Sequence, residues 1–215
     1  MRGVGATAKL GGAMRTRTLP SLVISALIAG AGLAPAGASA LDVRTSQVQP
    51  DVLFITADRD SVNQVGVTWV TSPSGAPDLV IGDTKAGIAD PIPSPSCVRV
   101  DPTVIRCLAD LFDRLQANLG PGPDSISVVP AVGINGFLTM NLQLGAGKDR
   151  ASDTGQTRDI WNGGKGRDQM NSGPGNDKLK GGAQDDILDC GPGDDLGIGG
   201  PGKLDLSRNC ETVRH

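Results

Sequence analysis

The chain has 215 residues, with 31 Gly and 15 Pro but only two Trp, three Phe and no Tyr, which excludes a thick core of interlocking large side chains. Four basic residues (Arg2, Lys9, Arg15, Arg17) and no acid precede Leu41. Beyond them 16 basic residues face 23 acidic ones, a formal −7, which excludes the basic footprint of a nucleic-acid binder and suits a collector of cations.

In chain order, the basic start is followed by "LPSLVISALIAGAGLAPAGASA", which closes on Ala38-Ser39-Ala40. A basic region, a short apolar run and an A-x-A end predict a secretory signal peptide over 1–40, and hence a secreted, extracellular protein. Gly, Pro and Ser dilute the run below the ~20 apolar residues of a membrane span. No later segment is apolar enough to span a bilayer. The four cysteines, Cys97, Cys107, Cys190 and Cys210, read as disulfides in an exported chain. Of the three possible pairings, sequence order favours Cys97–Cys107 with Cys190–Cys210. A zinc site is not expected, because there is no CxxC and the one histidine is His215.

Residues 41–118 predict an irregular β-rich region. "VLFIT" and "VGVTWV" read as strands, the second placing Val65, Val67 and Trp69 on one face. Breaks such as "SPSGAPD" and "DPIPSPS" separate them. "CVRVDPTVIRC" predicts two short strands around Asp101-Pro102. "VIRCLADLFDRLQANLG" carries both helical and strand periods; it is read as a strand at its end with one helical turn before it.

From 119 to 207 the chain is built of nine-residue units. "LGPGPDSIS" (119–127) comes first, then "VVPAVGINGFLTMNLQ", an enlarged coil with Phe137 and Met140 as core candidates. "LGAGKDRAS" (144–152) follows, put out of register by the extra Asp153, and then "TGQTRDIWN" (154–162). Five nonads then run without a gap from Gly163 to Ser207: "GGKGRDQMN", "SGPGNDKLK", "GGAQDDILD", "CGPGDDLGI" and "GGPGKLDLS". Asp holds the sixth place in seven of these eight units. Glycines at places two and four permit turns and close approaches that a Cβ forbids. The eighth place holds an apolar anchor, as in Trp161, Met170, Leu179 and Leu188, inside a short strand whose neighbours point the other way. Two nonads then make one coil. Carboxylates and turn carbonyls repeated in this way can supply the six to eight oxygens that a hard cation takes at about 2.3–2.6 Å, and calcium is the ion expected.

These units resemble the GGxGxDxUx nonapeptide of the repeats-in-toxin, or haemolysin-type calcium-binding, family. The likeness is good over 154–207 and reaches weakly back to 119. It implies an all-β fold: a right-handed parallel β-roll, or β-solenoid, with irregular N-terminal coils, and Ca2+ held between turns on the same side. With eighteen residues per coil, Asp159, Asp177 and Asp195 would line one edge, and Asp168 and Asp186 the other. The ligand set so implied is Asp124, Asp149, Asp159, Asp168, Asp177, Asp186 and Asp195, with the turn glycines Gly163, Gly164, Gly166, Gly173, Gly175, Gly182, Gly191 and Gly193. Three departures stand out: Gln184 replaces a fourth-place glycine, Gly197 leaves a thin place in the core, and Leu204 replaces the last aspartate. The last turn therefore reads as a cap with Asp205 off the sixth place, and 208–215 as a C-terminal cap and tail. The family's toxins leave the cell through a C-terminal signal, so the toxin activity is not carried over.

No HExxH, GxSxG or P-loop pattern is present. His215, the terminal residue, makes a poor general base. The expectation is a non-enzymatic calcium-binding protein with a structural or surface-interaction role, its partners being calcium ions and a cell-surface or extracellular polymer. The rival is a secreted carbohydrate-active enzyme of the parallel β-helix polysaccharide lyase or hydrolase type, with Asp110 and Asp113 as its carboxylate pair. Only Trp69 and Trp161 could then serve as sugar platforms, and Trp161 fits better as a core anchor.

Overall fold

The computed structural model describes residues 41–45, 51–57, 62–72, 75–89, 96–130 and 136–214. The signal peptide expected over 1–40 and His215 lie outside them, as do the centres of both Pro-rich breaks and residues 131–135 of the enlarged coil. The described residues contain no α-helix and form two mixed β-sheets.

The first seven strands are β1 Asp42–Thr45, β2 Val52–Thr56, β3 Gln64–Thr71, β4 Pro77–Asp83, β5 Cys97–Asp101, β6 Val104–Leu108 and β7 Arg114–Asn118. β1 pairs antiparallel with β2, and β3, β4, β6 and β5 form an antiparallel run in that order. The alternation read from "VGVTWV" holds, since Val65, Val67 and Trp69 are buried while Gly66 and Gln64 face out. The segment with two periods resolves as expected into β6, one 3-10 turn at Ala109–Leu111, and β7. Cys97 and Cys107 lie opposite each other on β5 and β6 and are disulfide-bonded.

The repeats supply β8 Ser125–Val129, β9 Thr139–Ala146, β10 Arg150–Asp153, β11 Arg158–Lys165, β12 Gln169–Asn171, β13 Lys178–Ala183, β14 Ile187–Asp189, β15 Leu196–Ile198, β16 Leu206–Arg208 and β17 Thr212–Arg214. From β7 onward successive strands go to opposite sheets, so each sheet takes one strand from every two units. One sheet has the order β1-β2-β7-β9-β11-β13-β15-β17, and the other β16-β14-β12-β10-β8-β3-β4-β6-β5. All pairings among β7 to β17 are parallel. No seam separates 41–118 from the repeats, because β2–β7–β9 and β3–β8 are continuous parallel pairings.

The core is a thin layer between the two sheets. One sheet sends in Ile55, Ala117, Leu142, Trp161, Leu179 and Gly197, aligned strand by strand. The other sends in Val65, Ile126, Ala151, Met170, Leu188 and Ser207. Phe137 and Met140 are buried too, as expected for the enlarged coil. The thin place at Gly197 is occupied by the second disulfide, Cys190–Cys210: a methyl group on Gly197 would stand 3.0 Å from Cys210 Sγ. The bridge therefore both closes a loop and fills the core where an anchor is missing. Replacing both Cys190 and Cys210 by Ser should cost about 3 kcal/mol by the loop-entropy estimate, read as a lowered urea midpoint. An unchanged midpoint would contradict this role.

One sequence reading changes at the C-terminal end. β16 pairs with β14 with Ile187 against Leu206 and Leu188 against Ser207, so the last nonad carries one extra residue. Leu204 is extruded, 76% exposed, and Asp205 rather than Leu204 takes the aspartate place. Beyond it, Thr212–Arg214 form β17, which extends the first sheet beyond β15.

Candidate metal centre

Each aspartate at the sixth place ends a glycine turn and begins a strand, and its side chain points inward. Asp124, Asp149, Asp159, Asp168, Asp177, Asp186 and Asp195 are all buried, none more than 3% exposed. Hydrogen bonds link them in two series, called columns below. In the first, the backbone N–H of Asp159 donates to Asp177 Oδ1 (2.9 Å), and that of Asp177 to Asp195 Oδ1 (2.7 Å). In the second, Asp124 N–H donates to Asp149 Oδ1, Asp149 N–H to Asp168 Oδ1 and Asp168 N–H to Asp186 Oδ1, at 2.8, 3.0 and 2.9 Å. Each carboxylate except that of Asp159 thus reaches back towards the preceding strand of its sheet and satisfies one backbone donor.

Sequence reasoning missed the ends of both columns. Asp205 Oδ1 accepts from Asp186 N–H (3.0 Å), and Glu211 Oε2 from Asp195 N–H (2.8 Å). At the other end, Asp124 Oδ1 accepts from both the backbone N–H and the side-chain amide of Asn63, a buried residue. The one-residue offset in the last nonad was a usable signal for Asp205; Asn63 and Glu211 carried none.

In all but Asp159, one carboxylate oxygen is spoken for and the other is not. Oδ2 of Asp124, Asp149, Asp168, Asp177, Asp186 and Asp195 is buried without a hydrogen-bond partner, and so are both oxygens of Asp159. Burial raises every one of these carboxyls above the ordinary 3.8: Asp177 and Asp186 to about 6, Asp149 to about 7 and Asp159 to about 10. Asp124, Asp168 and Asp195 move in the same direction for the same first cause, loss of water. Each pKa unit is worth about 1.4 kcal/mol, and a domain's whole stability is about 5–15 kcal/mol. So many buried carboxylates call for a counter-charge.

The glycine turns face the same spaces. The carbonyls of Gly145, Gly164 and Gly182 abut Gly164, Gly182 and Gly200 one coil on, and those of Gly173 and Gly175 abut Gly191 and Gly193. At Gly166, with φ at 132°, a Cβ would collide with the carbonyl oxygen of Gly147. At Gly175 it would stand 2.6 Å from Asp177 Oδ1, and at Gly163 2.5 Å from the Gly181 carbonyl oxygen. Side chains at these places would fill a channel of oxygens. Gln184 keeps the turn by adopting φ 79° without glycine's freedom.

Among the described residues no three Asp, Glu, His or Cys side chains converge at one point. Column neighbours sit one coil apart, roughly 4.8 Å along the stack, so an ion between coils would meet two carboxylates and take its other oxygens from turn carbonyls. All the donors are hard oxygens, which fits calcium or magnesium and not a thiophilic metal. Asp113 Oδ1 accepts from Arg114 Nε (3.4 Å), the Asp110 side chain lies outside the described set, and both tryptophans are buried, Trp69 edge-on to Phe137.

The raised carboxyls set a pH dependence for the metal-free chain. Their folded values lie above 3.8, so over that window the native state holds protons that the unfolded chain has released. Stability must then fall as pH rises from about 4 through about 7. In chelator, the urea midpoint should be higher at about pH 5 than at about pH 8. A midpoint that rises with pH would contradict the burial of these groups.

Comparison with protein-family models, with curated proteins and with solved structures finds no match to this chain, so the likeness to the calcium-binding nonapeptide family rests on the repeats themselves.

Proposed function

We propose that the chain is a secreted, non-enzymatic calcium-binding protein whose repeats wind as a parallel β-roll, with Ca2+ ions between successive turns. One observation carries this reading: a row of buried carboxylates, each with an oxygen that no group of the protein satisfies, set against turn carbonyls in coils too closely stacked to admit a side chain. Asp124, Asp149, Asp168 and Asp186 would hold the ions of one column, with Asp205 closing it. Asp159, Asp177 and Asp195 would hold those of the other, with Glu211 at its end. Bound ions would supply the positive charge that the columns lack and would tie one coil to the next. The role is then structural, a stiff calcium-set scaffold presenting its outer sheet faces to a cell surface or an extracellular polymer. The two disulfides fit an oxidising compartment.

Calorimetric titration of the protein with calcium tests this reading. Several ions should bind per chain, with affinities near the ~10⁻⁴–10⁻³ M of extracellular calcium modules, and proton release should accompany binding near neutral pH. Absence of binding at millimolar calcium would overturn the proposal, and calcium-dependent turnover of a polysaccharide would overturn its non-enzymatic part.

A further inference from the structure

We infer that Asp153 and Asp159, two carboxylates of one turn, hold a divalent cation of the calcium class at the head of the first column, in a site the nonad pattern does not contain. The inference rests on the reading that the columns bind calcium, and adds a ligand and a site to it. Asp153 is the residue that breaks the register between "LGAGKDRAS" and "TGQTRDIWN". In the structure it ends β10 in an inward position, level with Val128 of β8, and is 2% exposed. Its Oδ1 accepts from Gly155 N–H at 2.9 Å, while Oδ2 is buried without a partner.

Asp159 differs from every other column aspartate. The others each use one oxygen to accept a backbone N–H from the residue one coil earlier. Asp159 has no such neighbour, because the strand register places Met140, and beyond it Leu115, where a column aspartate would stand. Both residues are apolar and buried. The Asp159 carboxylate is itself fully buried, and neither of its oxygens has a partner. No Lys or Arg forms an ion pair with Asp153 or Asp159 among the described residues.

Other oxygens surround the same turn. A methyl group on Gly155 would lie 3.1 Å from Asp153 Oδ2 and 3.0 Å from Thr157 Oγ1. One on Gly173, in the next coil, would lie 2.8 Å from the Asp153 carbonyl oxygen and 3.5 Å from that of Gly155. Pro130 closes the turn from the previous coil's side, its Cγ 2.9 Å from the same Gly155 position. Two carboxylates, a hydroxyl and turn carbonyls make an all-oxygen donor set, the kind a hard divalent ion takes and a soft one refuses. The unpartnered oxygens are also the place where, without an ion, like charges meet. Burial raises the Asp159 carboxyl most, and among neighbouring charges Asp153 adds more than Asp177.

Trp161 gives the site its own reporter, since it lies two residues beyond Asp159 on the same inward face of β11. Terbium, a luminescent stand-in for calcium, should therefore be sensitised by Trp161 most strongly at this site. The purified protein, Asp153→Asn and Asp168→Asn would be titrated with calcium by calorimetry and with terbium by emission. Asp153→Asn should lose one bound calcium and most of the sensitised emission. Asp168→Asn, in the other column, should lose calcium but keep the emission. Asp153→Asn should also melt higher than the parent in chelator, because one buried charge is gone, and gain less from calcium. A purely structural role for Asp153 predicts a lower melting point in both conditions, and that outcome overturns the inference. If Asp153→Asn binds as many ions with the same emission while Asp168→Asn loses one, this site is wrong and the calcium reading stands. If the parent protein binds no calcium, both fall together.

Discussion

Removal of calcium should unfold the repeats and leave the N-terminal strands largely in place. The two halves rest on different interactions. Around β3, β4 and β6 the strands are antiparallel, and Val65, Val67, Leu79, Ile81 and Ile105 pack with Trp69 and Phe137. From β12 onward each short strand of three to six residues contributes one large anchor at most, worth ~1.5–3 kcal/mol when buried. Between these anchors stand the raised carboxyls, whose repulsion only an ion or a proton relieves. The two tryptophans divide between the halves, which makes the test direct. With Trp161→Phe the remaining Trp69 should keep a blue-shifted emission in chelator, and with Trp69→Phe the remaining Trp161 should move to the red. Far-ultraviolet circular dichroism should lose strand signal over the same calcium range. Spectra identical in chelator and in millimolar calcium would contradict the expectation.

The second large effect is expected within a column, from paired substitutions at Asp168. Asp168→Ala removes the acceptor for Asp149 N–H, leaving a buried donor unsatisfied at about 1–3 kcal/mol, and removes an ion ligand as well. Asp168→Asn keeps the acceptor and discards only the charge. In chelator the alanine variant should therefore be less stable than the parent, and the asparagine variant at least as stable. In calcium both should need more of the ion to reach their midpoint. Asp205→Ala should now behave as a column variant, because Asp205 accepts from Asp186 N–H, although its place in the sequence suggested little effect. Alanine and asparagine variants of equal stability in chelator would show that the reach-back hydrogen bonds carry no weight.

Much of this was legible because the nonad is both a chemical and a geometric period. Glycine at places two and four, Asp at six and an apolar residue at eight fix which groups turn, which point inward and which stack. The two columns, the anchors Trp161, Met170, Leu179 and Leu188, and the alternation of strands between two sheets follow from counting. Pairing of the cysteines in sequence order also held, since Cys97 and Cys107 flank one hairpin. What escaped reading depends on contacts distant in sequence. Asn63 meets Asp124 across 61 residues, and no local pattern marks it. Glu211 lies sixteen residues beyond Asp195, outside any repeat. Leu204 looked like a lost ligand because counting in nines cannot tell a substitution from an inserted residue; only the strand pairing separates them. Asp153 looked like a spacer for the same reason.

The ladder of carboxylates has a direction, and it sets a rule for changes in chain length. Every column residue but Asp159 reaches back towards the N-terminus, in steps of 18 residues where the repeat is regular. Adding or deleting eighteen residues would return each aspartate to its own column and each strand to its own sheet. Nine would exchange the two edges and send each later strand to the opposite sheet. Extra residues are absorbed: the steps from Asp149 to Asp168 and from Asp186 to Asp205 are 19, one residue over, and that from Asp124 to Asp149 is 25, seven over. Such a chain can be lengthened or shortened by whole coils, as a ruler is cut at its marks, provided that the residues closing each column, Asp205 and Glu211, travel with its end.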